Sequence, residues 1–324
     1  MGTDRRAGAL DGLELGARLR ERDLSAAPAV LNLVESRSET HRRQTQRLLE
    51  AVSPAALAGE APAQIVGVTG PPGVGKSSLL SRLVAEWRAH DRSVAVLAVD
   101  PSSRRSGGSL LGDRARIKRD PGDERVFIRS TAAGDRLGGL APGTRVAASA
   151  LAAAFDVVVI ETVGVGQSET EVADIADTVA VVVQPGSGDV LQFLKSGIME
   201  IPDVLVVTKS DLGRVAVRAL SDLRAALRSL GAETPVLAVS STSPATGISE
   251  LADALDAQHE RLDLVSRRTR SRRQHALADF AAEHGDRGVR ALGGRRDATR
   301  WLQSQDPTAD VTTLRQALEQ RADR

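Results

Sequence analysis

The stretch Gly70-Pro71-Pro72-Gly73-Val74-Gly75-Lys76-Ser77 restricts this chain more than anything else in it. It matches the pattern G-x-x-x-x-G-K-[ST]. The apolar run Ile65-Val66-Gly67-Val68 feeds directly into it, and a helical stretch, 78–90, follows. The glycines let successive backbone N–H groups converge on phosphate oxygens, while Lys76 neutralises charge at the outer phosphates. The Ser77 hydroxyl stands where a Mg²⁺ ion needs an oxygen ligand. A helix N-terminus adds unpaired N–H donors and the positive end of a dipole. A plain glycine-rich turn would account for the strand and the loop, but not for Lys and Ser in register behind them. A nucleoside triphosphate is therefore the expected ligand, held by Gly73, Val74, Gly75, Lys76, Ser77 and Ser78.

The pattern around this loop sets the fold class. Short Val/Ile/Leu-rich runs at 64–69, 93–99, 126–129, 157–161, 179–183, 204–208 and 236–240 alternate with helical stretches. Continuous apolar runs indicate strands covered on both faces, so a mostly parallel sheet flanked by helices is expected over 63–262. Nucleotides bind such sheets at the C-terminal ends of the strands. Residues 1–62 read as a helical N-terminal extension. Leu13, Leu15 and Leu19 mark a short helix, and a longer one is expected from about Ala29 to Val52, with an almost wholly polar centre. A Pro/Ala/Gly-rich link over 53–63 follows. Residues 263–324 read as a helical C-terminal arm. It opens with Arg267, Arg268, Arg270, Arg272 and Arg273 and is interrupted by Gly285, Gly288, Gly293 and Gly294.

Composition excludes several classes. With 43 basic and 42 acidic residues the formal net charge is +1, so no global charge points to nucleic acid or an anionic membrane. No apolar run has the length of a membrane-spanning helix, and the charged N-terminus is unlike a signal peptide. The absence of cysteine excludes disulfides and thiolate metal sites and fits a cytoplasmic protein.

Other strand ends say what happens to the nucleotide. The run Val94–Val99 ends in Asp100, and Val157–Ile160 ends in Glu161. An acid at a strand end caps a helix about as readily as it binds metal. Two of them beside a phosphate loop favour Mg²⁺, which takes one or two carboxylates with phosphate oxygens and water. Thr208-Lys209-Ser210-Asp211 then resembles the guanine-reading N/T-K-x-D motif of GTPases. Asp211 would accept hydrogen bonds from the guanine ring N–H and amino group, a donor pair that adenine lacks. Lys209 would pack along the base. Thr208 stands where Asn is commoner, so that contact is expected to be weakened or rearranged. Ser240 and Ser241 fit the loop that closes over the guanine.

With these residues in view, the segments 98–103, 106–113 and 161–169 resemble the MeaB/ArgK-type G proteins, the GTPase chaperones of adenosylcobalamin-dependent acyl-CoA mutases. The resemblance runs from about Leu31 to Leu262. It implies a P-loop G domain binding GTP or GDP with Mg²⁺. It implies that Ser77, Asp100, Asp113 and Glu161 surround the metal and the attacking water, and that 102–113 and 162–169 act as switches. It further implies a third mobile loop over 185–195, with Asp189, Gln192 and Lys195 relaying the mutase's presence and Lys195 reaching the phosphates. The catalytic residues expected on this basis are Lys76, Asp113, Glu161 and Lys195. A homodimer through the C-terminal arm is also implied. Arg114 replaces the family's common Lys, and the loop 128–139 departs from its pattern, so partner choice could differ from the best-known mutase. Three other readings compete. One is a GTPase inserting nickel or cobalt, disfavoured by the missing Cys and five scattered His. The second is an ATP-dependent kinase of amino-acid transport components, disfavoured by the guanine motif. The third is a nucleic-acid-binding NTPase using the arginines at 267–273, disfavoured because no aromatics interleave them.

Overall fold

The computed structural model describes residues 11–36, 38–100, 117–132, 140, 142–162, 167–186 and 202–323. The chain divides into two compact units. One comprises 62–148 and 155–267; the other comprises the N-terminal segment to 61, residues 149–154 and 268–324.

The first unit is built on seven strands: β1 (Gln64–Thr69), β2 (Val94–Asp100), β3 (Val126–Ala132), β4 (Val157–Glu161), β5 (Thr178–Val183), β6 (Val204–Val207) and β7 (Val236–Ala238). All seven expected strands are present. They lie in the order β3-β2-β4-β1-β5-β6-β7, every neighbouring pair parallel. Residues of β1, β4, β5 and β6 are buried throughout, as β-branched runs covered on both faces must be. One face packs on the helix Lys76–Ala89, through Leu79, Leu80, Leu83, Val84 and Trp87, and on the helix Ile248–Glu260, through Leu251 and Leu255. On the other face Gly67 leaves room for Val172 of the helix Gln167–Ile175; a Cβ at Gly67 would come within 2.7 Å of that side chain. The helix Arg214–Ser229 completes the cover beside β6 and β7, burying Ala216, Ala219, Leu223 and Leu227. This arrangement is a P-loop NTPase fold, with the phosphate loop leaving the central strand.

In the second unit, the short N-terminal helix is Gly12–Arg20. It buries Leu15 and Leu19, whereas Leu13 faces outward at 48% exposure. Gly12 and Gly16 lie against the helix Glu39–Ala51: a Cβ at Gly12 would fall 1.8 Å from the Gln44 carbonyl oxygen. The expected single helix from Ala29 to Val52 is instead two, Ala27–Glu35 and Glu39–Ala51. Ser38 takes an extended backbone and its hydroxyl accepts from the His41 N–H at 3.2 Å, so it caps a new helix rather than continuing the old one. The polar stretch at the centre of the expected helix is largely the first two turns of that second helix. At the C-terminal end, Leu264–Ala291 passes through Gly285 as a kink (φ 62°, ψ −167°), where a break was expected. Helices Arg295–Gln303 and Val311–Ala322 follow, closing a small core of Phe280, Leu292, Leu302, Leu314 and Leu318.

Four of the five arginines in the stretch 267–273 bond within the chain. In the first unit Arg267 donates to the Ala176 carbonyl. In the second, Arg268 donates to the Ala61 carbonyl at 2.6 Å and Arg273 to that of Gln305 at 2.8 Å. Arg272 grips Glu60 with two parallel bonds of 2.9 and 2.8 Å. Bidentate pairing of this kind fixes geometry as well as charge. These four guanidiniums are taken up by backbone carbonyls and by Glu60.

Candidate functional site

The loop after β1 is shaped by close approach to the neighbouring strand. Gly70 has φ 145°, and a Cβ there would lie 2.1 Å from the Val182 carbonyl oxygen of β5. Gly75, at φ 98°, turns the chain into the helix Lys76–Ala89 without a side-chain cap, which leaves first-turn N–H groups available. Lys76 is buried, and its Nζ donates to the carbonyl oxygens of Gly70 (2.5 Å) and Pro71 (3.0 Å). The ammonium is thereby held at the phosphate loop itself.

Beside it, the Ser77 hydroxyl donates to Glu161 Oε1 at 3.2 Å, and Glu161 is only 5% exposed. Strand pairing accounts for the meeting. Glu161 ends β4 opposite Val68 of β1 and Ala98 of β2, so the acid lies beside the strand that launches the loop. Asp100 lies two residues beyond Ala98 at the end of β2. A hydroxyl and a carboxylate at the head of an uncapped helix are hard oxygen donors, the set that Mg²⁺ prefers, so these residues fit that ion. The Thr162 hydroxyl donates to Thr69 Oγ1 at 2.8 Å, and this buried pair ties the ends of β1 and β4 beneath the loop. Asp113 and Lys195 lie outside the described residues, as do most of the expected switch and mobile-loop positions.

The base-reading residues gather at the end of β6. Thr208 is buried, and its hydroxyl makes bonds of 2.6 Å to the Val74 carbonyl and 3.1 Å to that of Val183. Where Asn is commoner, Thr thus turns inward and holds the phosphate loop. Lys209 adopts a left-handed backbone (φ 53°) and its Nζ donates to the Gly73 carbonyl at 3.2 Å and to Gln184 Oε1. Asp211 is exposed, and its Oδ1 accepts from the Ser240 hydroxyl at 2.7 Å. The Ser240 hydroxyl first, then the residue's own N–H, and further Thr242 and Lys209, hold the Asp211 carboxyl below its ordinary value. It is therefore an ionised acceptor at neutral pH. Ser240 also bonds Thr242 at 2.6 Å, and Arg82 donates to the Ser241 carbonyl at 3.0 Å, pinning the closing loop to the phosphate-loop helix.

Of the expected site residues, Lys76, Ser77 and Glu161 come together at one point, and Thr208, Lys209, Asp211 and Ser240 at another, with Gly73 and Val74 joining the two. Sequence reading missed Gln184 and Arg82, and gave Thr162 only as part of the 162–169 switch. Gln184 offered one signal: a polar residue directly after the aliphatic run Val179–Val183.

Comparison with known proteins decides the family. Residues 27–287 match the model of the methylmalonyl-CoA mutase-associated GTPase MeaB. This chain belongs to the MeaB family of GTPases. A protein named as a GTPase in Pyrococcus abyssi is 41% identical over 269 residues, covering 81% of this chain and 80% of its own. A mitochondrial methylmalonic aciduria type A homolog from Caenorhabditis briggsae is 42% identical over 195 residues, 58% of this chain and 47% of its own. A solved structure of a protein named LAO/AO transport system kinase superposes with a TM-score of 0.61 at 29% identity, covering 90% of this chain and 95% of that one. As a MeaB-family member, the chain binds nucleotide and its enzymatic activity is GTP hydrolysis. Among the described residues, no helix is long and apolar enough to cross a membrane.

Proposed function

We propose that this chain is a GTP-driven switch that chaperones an adenosylcobalamin-dependent acyl-CoA mutase, gating cofactor loading, protection or reactivation. The observation that carries the reading is the family match, which runs from the helix Ala27–Glu35 before the sheet through most of Leu264–Ala291 after it, not the nucleotide domain alone. A relative named for methylmalonic aciduria points to the same chemistry.

In this reading Asp211 selects guanine, with Ser240 orienting its carboxylate and Lys209 lying along the base. Lys76 and the uncapped helix N-terminus take the phosphates. Ser77 and Glu161 would hold Mg²⁺ together with Asp100 and Asp113; when bound, that ion neutralises charge on the transferring phosphoryl group. Glu161 and Asp113 would act on the attacking water, and Lys195 would supply further positive charge in the presence of a partner. Phosphoryl transfer needs positioning and charge neutralisation more than covalent help, so unassisted turnover is expected to be slow, on the order of 10⁻⁴ to 10⁻² per second. The C-terminal arm would form a homodimer, and the setting would be cytoplasmic.

The kinase name belongs to the structural neighbour, and a guanine-selective Asp211 argues against ATP as substrate here. Metal delivery finds little support. Among the described residues, the His-containing group with ligand spacing is Glu283, His284 and Glu319, and Arg315 already bonds both carboxylates. Of the arginines at 267–273, Arg267, Arg268, Arg272 and Arg273 bond backbone carbonyls or Glu60, which argues against the nucleic-acid reading.

The test is GTP turnover by the purified protein with and without cobalamin-dependent acyl-CoA mutases of the same organism, ATP serving as control. Stimulation of at least tenfold by one mutase is expected. Turnover indifferent to every mutase would remove the chaperone role and leave the GTPase without a client.

A further inference from the structure

We infer that Gln184 is a positioning residue for guanine-nucleotide binding, acting through Lys209. Gln184 follows the last residue of β5, Val183, and is half-buried. Its Oε1 accepts from the Lys209 ammonium, which also donates to the Gly73 carbonyl of the phosphate loop at 3.2 Å. An ammonium offers its donors in a tetrahedral spread, and two fixed acceptors narrow the directions that its four-carbon stem can take. The stem is the part of Lys209 that lies along the base in the reading above, on which this inference rests. Gln184 thus sets where that stem rests, without itself meeting the nucleotide.

The surroundings reinforce the constraint. Lys209 starts from a left-handed backbone. The preceding residue, Thr208, is bonded on one side to Val74 and on the other to Val183. The ends of β5 and β6 and the phosphate loop therefore form one junction. Within it, Gly73, Val74 and Val183 contribute backbone carbonyls, which any residue type provides. The Gln184 amide is the acceptor that a side-chain change can remove.

The deciding experiment measures GDP affinity with a fluorescent analogue, and GTP turnover, for Gln184→Met, Gln184→Glu, Lys209→Ala and the double variant Gln184→Met/Lys209→Ala. Methionine keeps the length and shape but loses the acceptor; glutamate keeps it. Gln184→Met is expected to weaken GDP binding and raise KM about threefold to tenfold, the worth of one charge-assisted hydrogen bond near solvent, with kcat and Tm unchanged. Gln184→Glu is expected to stay near wild type. In the Lys209→Ala background the Gln184→Met change is expected to cost nothing further, since the two act as one unit. A Gln184→Met protein with unaltered affinity, a loss that glutamate does not restore, or a loss that persists without Lys209 would each overturn the inference. If Lys209→Ala itself leaves affinity unchanged, the base-site assignment fails and this inference falls with it.

Discussion

The two edges of the sheet use the same kind of residue for opposite ends. At the N-terminal edge, Asp156, Asp177 and Asp203 each stand immediately before a strand and accept an N–H from the neighbouring one: Ser93 at 2.7 Å, Ile65 at 2.8 Å and Val179 at 2.8 Å. Each carboxylate ties two strands together. At the C-terminal edge, Glu161 and Asp211 bond small hydroxyl side chains, Ser77 and Ser240. Hydroxyls orient a carboxylate while leaving it lone pairs to spend. One edge is closed by its acids; the other presents them.

Electrostatics follow the same division. Burial raises the Asp203 carboxyl above its ordinary value, against the opposing pull of the Val179 N–H and Arg267. Asp211, held chiefly by Ser240, is lowered. The half-buried clamp at Asp203 resists charge, and the exposed Asp211 keeps it.

Substitutions on each edge should therefore separate binding from stability. The largest effect is expected from Lys76→Ala, which removes a buried cation from the phosphate loop. GTP affinity should fall on the order of a hundredfold to a thousandfold, the worth of two charge-assisted hydrogen bonds, in a fluorescent-nucleotide titration. Retained tight binding would mean that the loop's backbone alone carries the phosphates. Asp211→Asn comes next. The preference for GTP over ATP should shrink by roughly a hundredfold, and a preference left intact in competition binding would sink the base-recognition assignment.

Asp177→Ala acts on the opposite edge. It strands the buried Ile65 N–H and should cost about 1–3 kcal/mol in denaturant unfolding, with nucleotide affinity unchanged. Loss of nucleotide binding in that variant would show that the two edges are not separable.

The smallest effect concerns pH. A carboxyl raised by folding means that the native chain holds its proton more tightly than the unfolded one. The stability that Asp203 contributes is thus complete below the ordinary carboxylate range and is lost as pH rises through the raised value. Asp203→Asn keeps an acceptor for Val179 and should flatten that part of the stability curve. An unchanged curve would assign the slope to Asp174, whose carboxyl burial and Glu171 also raise.

Much of this was legible beforehand because it depends on local pattern. Seven aliphatic runs became seven strands, and Gly70–Ser77 became the strand–loop–helix passage its residues require. The N-terminal helices were read less well. Their burial is governed by contacts thirty residues apart, such as Gly12 on Gln44, and the Ser38 cap outweighed helical periodicity. For Arg267, Arg268 and Arg273 the sequence shows the charge but not the carbonyls that receive it.

By itself the sequence determined the ligand class, the parallel sheet and the family, since phosphate loops, buried strands and the 161–169 motif are written in consecutive residues. Tertiary structure decided which polar residues meet. Ser77 lies 84 positions from Glu161, and Thr208 lies 134 from Val74. Only the order in which the parallel strands pair brings such residues within a hydrogen bond. That order follows from how crossover helices cover both faces of the sheet, not from any short stretch of chain.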